Sequence, residues 1–226
     1  ENSQPTAAAT AAKKARAAYK ELLAGSKSLS DALDAAIRTL IPKTFYFSSY
    51  AQLAGRYNLT TEVLPAVKSG STDDKVQTAA EFLKLAHIDP ASVQTWEFEQ
   101  WNAELEAVSS MLTTLVKENW RQNEHLRLRV NVEPQPAPNG QVERYLQFRV
   151  EDTRHDFTSR LDRRSTGFQW FVSFMAAFFE FQADKTIVLL LDEPGLSLHA
   201  RAQKDLLDCI DNTLTKGRQV IYTTHS

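Results

Sequence analysis

Ile187-Val188-Leu189-Leu190-Leu191-Asp192-Glu193-Pro194 joins an unbroken aliphatic run to a pair of carboxylates. Five apolar residues without alternation suit a strand buried on both faces, as in parallel sheets covered by helices. The carboxylates then emerge at the C-terminal edge of that sheet, where open α/β sheets bind their ligands. A strand that merely ends in a charged turn reads the same over these eight residues, so the flanking sequence has to separate the two readings. Downstream, HARAQKDLLDCIDNTL (199–214) reads as a helix, and RQVIYTT (218–224) as a second apolar strand. Strand, loop, helix, strand is the pattern of a parallel sheet. The second strand runs out in Thr223-Thr224-His225-Ser226, returning a histidine to the same edge.

Upstream, Arg163-Arg164-Ser165-Thr166-Gly167-Phe168-Gln169 opens an aromatic helix, Gly167 to Phe181, with Phe168, Phe171, Phe174, Phe178 and Phe179 at the spacing of a packed face. The free N–H groups and dipole at such a helix start favour an anion. Before it, LRLRVNV (126–132) and Leu146, Phe148 and Val150 alternate with period two. They predict a β-ribbon joined by a mobile, proline-rich connection, EPQPAPNG (133–140). Residues 60–125 read as helical. Val76, Ala79, Leu83 and Ala86 mark one face, and Trp101, Leu105, Val108, Leu112 and Leu115 have the spacing of a helix pairing with another. Near the start, Thr10 to Leu23 predicts a helix. A second, capped by Ser30 or Asp31, carries Leu33, Ile37 and Leu40 before Pro42 stops it, and TFYFSSY (44–50) predicts a strand.

Composition narrows the function classes. Lys and Arg total 26 against 28 Asp and Glu, a net charge of −2, so the chain is not a polycation, although a local basic face stays open. The single Cys209 excludes an internal disulfide framework and any thiolate metal cluster. The histidines show no H-x-x-x-H pair for zinc. No apolar run approaches the roughly 20 residues of a membrane span, and the N-terminus has no signal-peptide core. A cytoplasmic protein is expected.

The order RSTGFQW, LLLDEPGLSLHARAQ, YTTHS resembles the C-terminal lobe of an ABC-type ATPase. More narrowly it resembles the OLD (overcoming lysogenization defect) family and its AAA-type relatives, which are akin to SMC-like DNA-repair ATPases. The resemblance is specific over 160–226 and looser at PKTFYFSSYAQLAGRYNL. It implies an α/β ATPase lobe with a helical insertion and a β-ribbon. Residues 1–58 would belong to an incomplete ATPase core, 59–125 to a helical insertion or dimerisation arm, and 126–226 to the lobe bearing the motifs. By the same resemblance Asp192 would be the Walker B carboxylate for Mg²⁺, Glu193 the general base and His225 the switch histidine. Ser165, Thr166 and Gly167 would stand for the signature, with Gln169 also on the nucleotide. Gly195 to His199, including Ser197, would form the D-loop, and Ser48 to Gln52 is the candidate Q-loop. ATP would lie between two heads of a homodimer. Relatives often carry a Toprim nuclease after the ATPase, and coupling to DNA processing or antiphage defence is implied.

One departure qualifies the match. A phosphate-cradling G-x-x-x-x-G-K-[ST] needs two glycines five apart, and the seven glycines, at 25, 55, 70, 140, 167, 195 and 217, contain no such pair. The expectation is therefore an internal fragment whose Walker A lobe lies elsewhere and which does not turn over ATP alone. A non-catalytic dimerisation or regulatory module with a vestigial ATPase edge is the alternative; the missing loop favours it. An ABC transporter subunit fits less well, because such heads lack a ribbon and insertion of this size. Arg127, Arg129 and Arg149, with Arg144, Arg154 and Arg160, form either a solvated face or a strip facing DNA. Trp96, Trp101 and Trp120 read as core or partner-helix contacts rather than base-stacking platforms, and Cys209 as a buried thiol.

Overall fold

A computed structural model describes residues 7–23, 25, 28–48, 51–85, 98–138, 140–179, 181 and 184–225. Ser49, Tyr50, Ala86, Trp96 and Ser226 lie outside the described residues. Among the described residues no helix is long and apolar enough to cross a membrane. The chain divides into two compact units, residues 1–43 and 44–226.

The first unit is helical. Alanine-rich α1 (Ala7–Leu23) follows from helix propensity. α2 (Leu29–Leu40) starts two or three residues earlier than its sequence signals indicate, because Ser28 rather than Ser30 or Asp31 caps it, accepting the Asp31 N–H at 3.1 Å.

The second unit holds two sheets. The parallel sheet, ordered β1-β6-β7, comprises β1 (Thr44–Phe47), β6 (Val188–Leu191) and β7 (Val220–Tyr222). This is the mixed α/β architecture expected, with the aliphatic run at its centre. The antiparallel sheet places β4 (Val142–Asp152) between β3 (Leu126–Pro136) and β2 (Arg56–Asn58), with β5 (Phe157–Arg160) also on β4. The ribbon is thus part of a four-stranded sheet. Its proline-rich segment is not a mobile connection: β3 continues through Pro134, opposite Arg144, to Pro136. Proline is tolerated there because β3 is an edge strand, whose outward positions need no N–H.

Between the sheets' strands lie α3 (Leu64–Ser69), reached through a π-type turn at 59–63, then α4 (Asp74–Leu85) and α5 (Phe98–Asn119). Trp101, Leu105, Val108, Leu112 and Leu115 are all buried. They bury α5 mainly against β3 rather than in a helical hairpin, and polar side chains fasten it there. The outward N–H groups of Leu128, Val130 and Val132 donate to Thr113 Oγ1, Ser109 Oγ and Asn102 Oδ1 at 2.9, 2.8 and 3.2 Å. An edge strand otherwise presents unpaired donors; here one helix face satisfies three of them.

The aromatic helix α6 (Thr166–Phe179) is the core of the unit, with eleven buried residues, Gly167 to Phe178 apart from Gln169. Phe47 of β1 meets Trp170 and Phe174 edge-on at 5.8 and 5.4 Å, and Trp120 meets Phe171 at 5.0 Å. Such pairs add about 0.5–1.5 kcal/mol each beyond the area they bury. Finally α7 (Ala200–Cys209), prolonged by a π-type turn at 210–214, links β6 to β7 and buries Leu206, Cys209 and Leu214. Burial pushes the Cys209 thiol up to about 12, as expected of an inert packing residue.

Candidate functional site

The three parallel strands end together. The ladder continues one step past each end: Asp192 N–H donates to the Phe47 carbonyl and Thr223 N–H to the Leu191 carbonyl, both at 3.0 Å. Asp192 is thereby fixed between the tips of β1 and β7. Its two oxygens accept different hydroxyls, Oδ1 from Thr223 Oγ1 at 2.7 Å and Oδ2 from Tyr46 at 3.0 Å. The Thr223 and Tyr46 hydrogen bonds, aided by the charge of His225, hold the Asp192 carboxyl below its ordinary range. The same carboxylate pushes the Tyr46 phenol up.

Glu193 leaves the strand with φ of 50°, one of two non-glycine positive values among the described residues. A left-handed conformation at such a residue costs about 1–2 kcal/mol. It is supported by neighbours: Glu193 N–H donates to Thr223 Oγ1 at 3.0 Å, and its carbonyl accepts the Leu196 N–H at 3.1 Å. The turn aims its carboxylate at His225, with Nε2 to Oε1 at 3.1 Å; Glu193 is 19% exposed and His225 89%. Asp192, Glu193 and His225 therefore form one cluster, built from residues that share only their position at a sheet edge.

Ser165, Thr166, Gly167, Gln169 and Ser197 form a second cluster. Ser165 heads α6, its hydroxyl accepting the Phe168 N–H at 3.4 Å, and both Ser165 and Thr166 are exposed. The Gln169 amide donates back to the Arg164 carbonyl at 2.6 Å, so its side chain braces the loop. Gly167 is required by close approach: a Cβ there would lie 2.6 Å from the Ser197 carbonyl and 2.8 Å from Leu198. Absence of that carbon lets the loop 195–199 lie against the helix start. Leu198 is buried below it, Leu196 is 70% exposed above, and His199 caps α7 by accepting the Ala202 N–H at 3.2 Å. A concavity of about 370 Å³ opens here, lined by Arg163, Arg164, Ser165, Phe168, His199 and Trp120 among others.

The larger groove, about 690 Å³ between α5 and β3, contains none of these residues. It includes Arg127, Arg129 and Arg149 of the basic strip. Within the strip, Arg129, Arg149 and Arg160 stand in cross-strand register, yet Arg129 pairs with Glu151 at 2.7 Å and Arg160 with Asp162 at 3.0 Å.

Among the described residues no three His, Cys, Asp or Glu form a ready cation cage. Mg²⁺ does not need one: it typically keeps several waters and takes one or two carboxylates plus substrate phosphates. A carboxylate whose two oxygens are already oriented by the Thr223 and Tyr46 hydroxyls fits such an ion. Sequence inspection missed Tyr46 and Thr223. Tyr46 lies 146 residues from its partner, and the first threonine of Thr-Thr-His differs from the second only by strand parity.

Residues 56–226 match the family described as "AAA domain, putative AbiEii toxin, Type IV TA system". The chain belongs to this AAA-domain family. The AAA domain begins at β2 and takes in both clusters. It is an AAA-type ATPase domain, a class that uses ATP and Mg²⁺. An uncharacterised protein of Methanocaldococcus jannaschii is 36% identical over 67 residues, 27% of this chain and 17% of the relative. Among solved structures, an SMC head bound to the C-winged helix domain of ScpA aligns at TM-score 0.46 and 15% identity, over 88% of this chain and 53% of that one. A Pyrococcus furiosus SMC head with an extended coiled coil, bound to the C-terminal domain of ScpA, aligns at 0.37 and 14%, over 72% and 41%. The chain thus spans about half or less of the proteins it resembles.

Proposed function

We propose that this AAA domain is the C-terminal lobe of an ABC-type ATPase head that hydrolyses ATP at a composite interface between two copies, with the phosphate cradle supplied by residues outside these 226. The observation that carries the reading is the gathering of Asp192, Glu193 and His225 at one end of the parallel sheet. Asp192, its two oxygens oriented by the Tyr46 and Thr223 hydroxyls, would hold Mg²⁺, which when bound would neutralise phosphate charge. Glu193 would accept the proton of the attacking water, a role worth typically 10²–10⁴-fold in rate. His225, within hydrogen-bond reach of Glu193, would orient that carboxylate. Ser165 and Thr166, exposed at the start of α6, would offer hydroxyl and backbone donors to the nucleotide of the other copy. Gly167 lets Ser197 stand beside them.

An OLD-type parent, with ATP state coupled to DNA processing or antiphage defence and a Toprim nuclease as its effector, is the finer form of this proposal. The composite site is tested by mixing, in the full-length protein, subunits carrying Ser165→Arg with subunits carrying a disabled phosphate loop. Each homodimer should be inactive and the mixture should recover roughly one working site per dimer. Absence of recovery, with mixed dimers demonstrated, would remove the composite interface.

A further inference from the structure

We infer that Thr223 and Tyr46 are positioning residues for the cation and the base, Thr223 serving both with a single hydroxyl; the inference rests on the ATPase reading above. A hydroxyl has one proton to donate and can accept two hydrogen bonds. Thr223 gives its proton to Asp192 Oδ1 at 2.7 Å and accepts the Glu193 N–H at 3.0 Å. One atom thus fixes the carboxylate that precedes the turn and the backbone of the residue that makes it. Tyr46 reaches the remaining carboxylate oxygen from the opposite strand, at 3.0 Å. With both oxygens anchored, the Asp192 carboxylate can no longer rotate about its terminal torsion. Each oxygen keeps a further lone pair for a cation.

The arrangement spans the sheet. Tyr46 comes from β1, Asp192 and Glu193 from the end of β6, and Thr223 from the end of β7. His225 follows Thr223 by two residues and meets Glu193. A displacement of β7 would therefore disturb the cation ligand, the base and the histidine together. Thr224, between them in sequence, has the opposite strand parity.

The experiment measures Mn²⁺ binding by electron paramagnetic resonance, in the presence of a non-hydrolysable ATP analogue, on the full-length protein. Thr223→Val should bind Mn²⁺ about tenfold more weakly, the loss expected for a hydrogen bond to a charged group. Thr223→Ser should restore binding to within about twofold, because it returns the hydroxyl. Tyr46→Phe should weaken binding by about threefold, a smaller loss because the phenol is solvent-exposed; at an exposed position it also carries little folding risk should Thr223→Val not fold. At saturating Mg²⁺, Thr223→Val should still lower kcat while the KM for ATP stays within about twofold, since the backbone of Glu193 is released. Wild-type Mn²⁺ affinity in Tyr46→Phe and in any folded Thr223→Val would overturn the inference, whatever the turnover. Glu193→Gln, assayed alongside, keeps the two claims apart: wild-type turnover in that variant removes the base and leaves the cation clamp to stand on its Mn²⁺ data.

Discussion

The antiparallel sheet pairs β3 with β4 over eleven residues each, within one short stretch of chain, whereas the parallel sheet is built from strands of three and four residues drawn from positions 44 to 222. The first is held by its own ladder and by the α5 side chains along its edge. The second has few ladder bonds and packs Phe47 of β1 against the aromatic row of α6. All three acidic-edge residues sit on the weaker ladder. The comparison teaches that the site is placed by helix packing, and that the ribbon supplies a stable flank.

The difference can be broken from the parallel side first. Phe174 is fully buried and touches Phe47, Trp170 and Phe178, so Phe174→Ala should cost about 3–5 kcal/mol in denaturant unfolding. A loss below about 1 kcal/mol would mean that the short strands stand without α6. Gly167→Ala should cost about 1–3 kcal/mol, because the new carbon meets the Ser197 carbonyl, and should displace the 195–199 loop. Unchanged stability together with unchanged amide shifts in that loop would show the contact to be slack. On the ribbon side, Ser109→Ala leaves the Val130 N–H without its acceptor and should cost about 1–2 kcal/mol, with hydrogen exchange accelerated along β3. The smallest effect is expected at Arg129→Ala, where a half-exposed ion pair with Glu151 should contribute less than about 1 kcal/mol and fade with salt.

How much of this was legible in sequence follows the same division. The aliphatic run before Asp192, the aromatic period of α6 and the alternation of β3 and β4 are local patterns, and each appears as an element close to its expected bounds. β2 and β5 were not read: at three and four residues they carry no period, and only pairing with β4 defines them. The proline-rich segment looked like a connection because proline removes a ladder donor, a cost that vanishes at the outward positions of an edge strand. α5 has the apolar spacing of a helix that pairs with another, yet a strand edge supplies the surface instead. Asp192, Glu193 and His225 could be placed at one edge by counting along two strands. The hydroxyls of Tyr46 and Thr223 could not, since their contacts depend on strand order and parity across the sheet.

ATP binding and turnover, measured side by side on the full-length protein with Glu193→Gln, test the central claim most directly. The account predicts ATP affinity within about twofold of wild type and turnover reduced by at least about 10²-fold. Turnover near the wild-type rate would contradict it. Failure of the wild-type protein to bind ATP would leave the acidic edge as a structural remnant in a regulatory module.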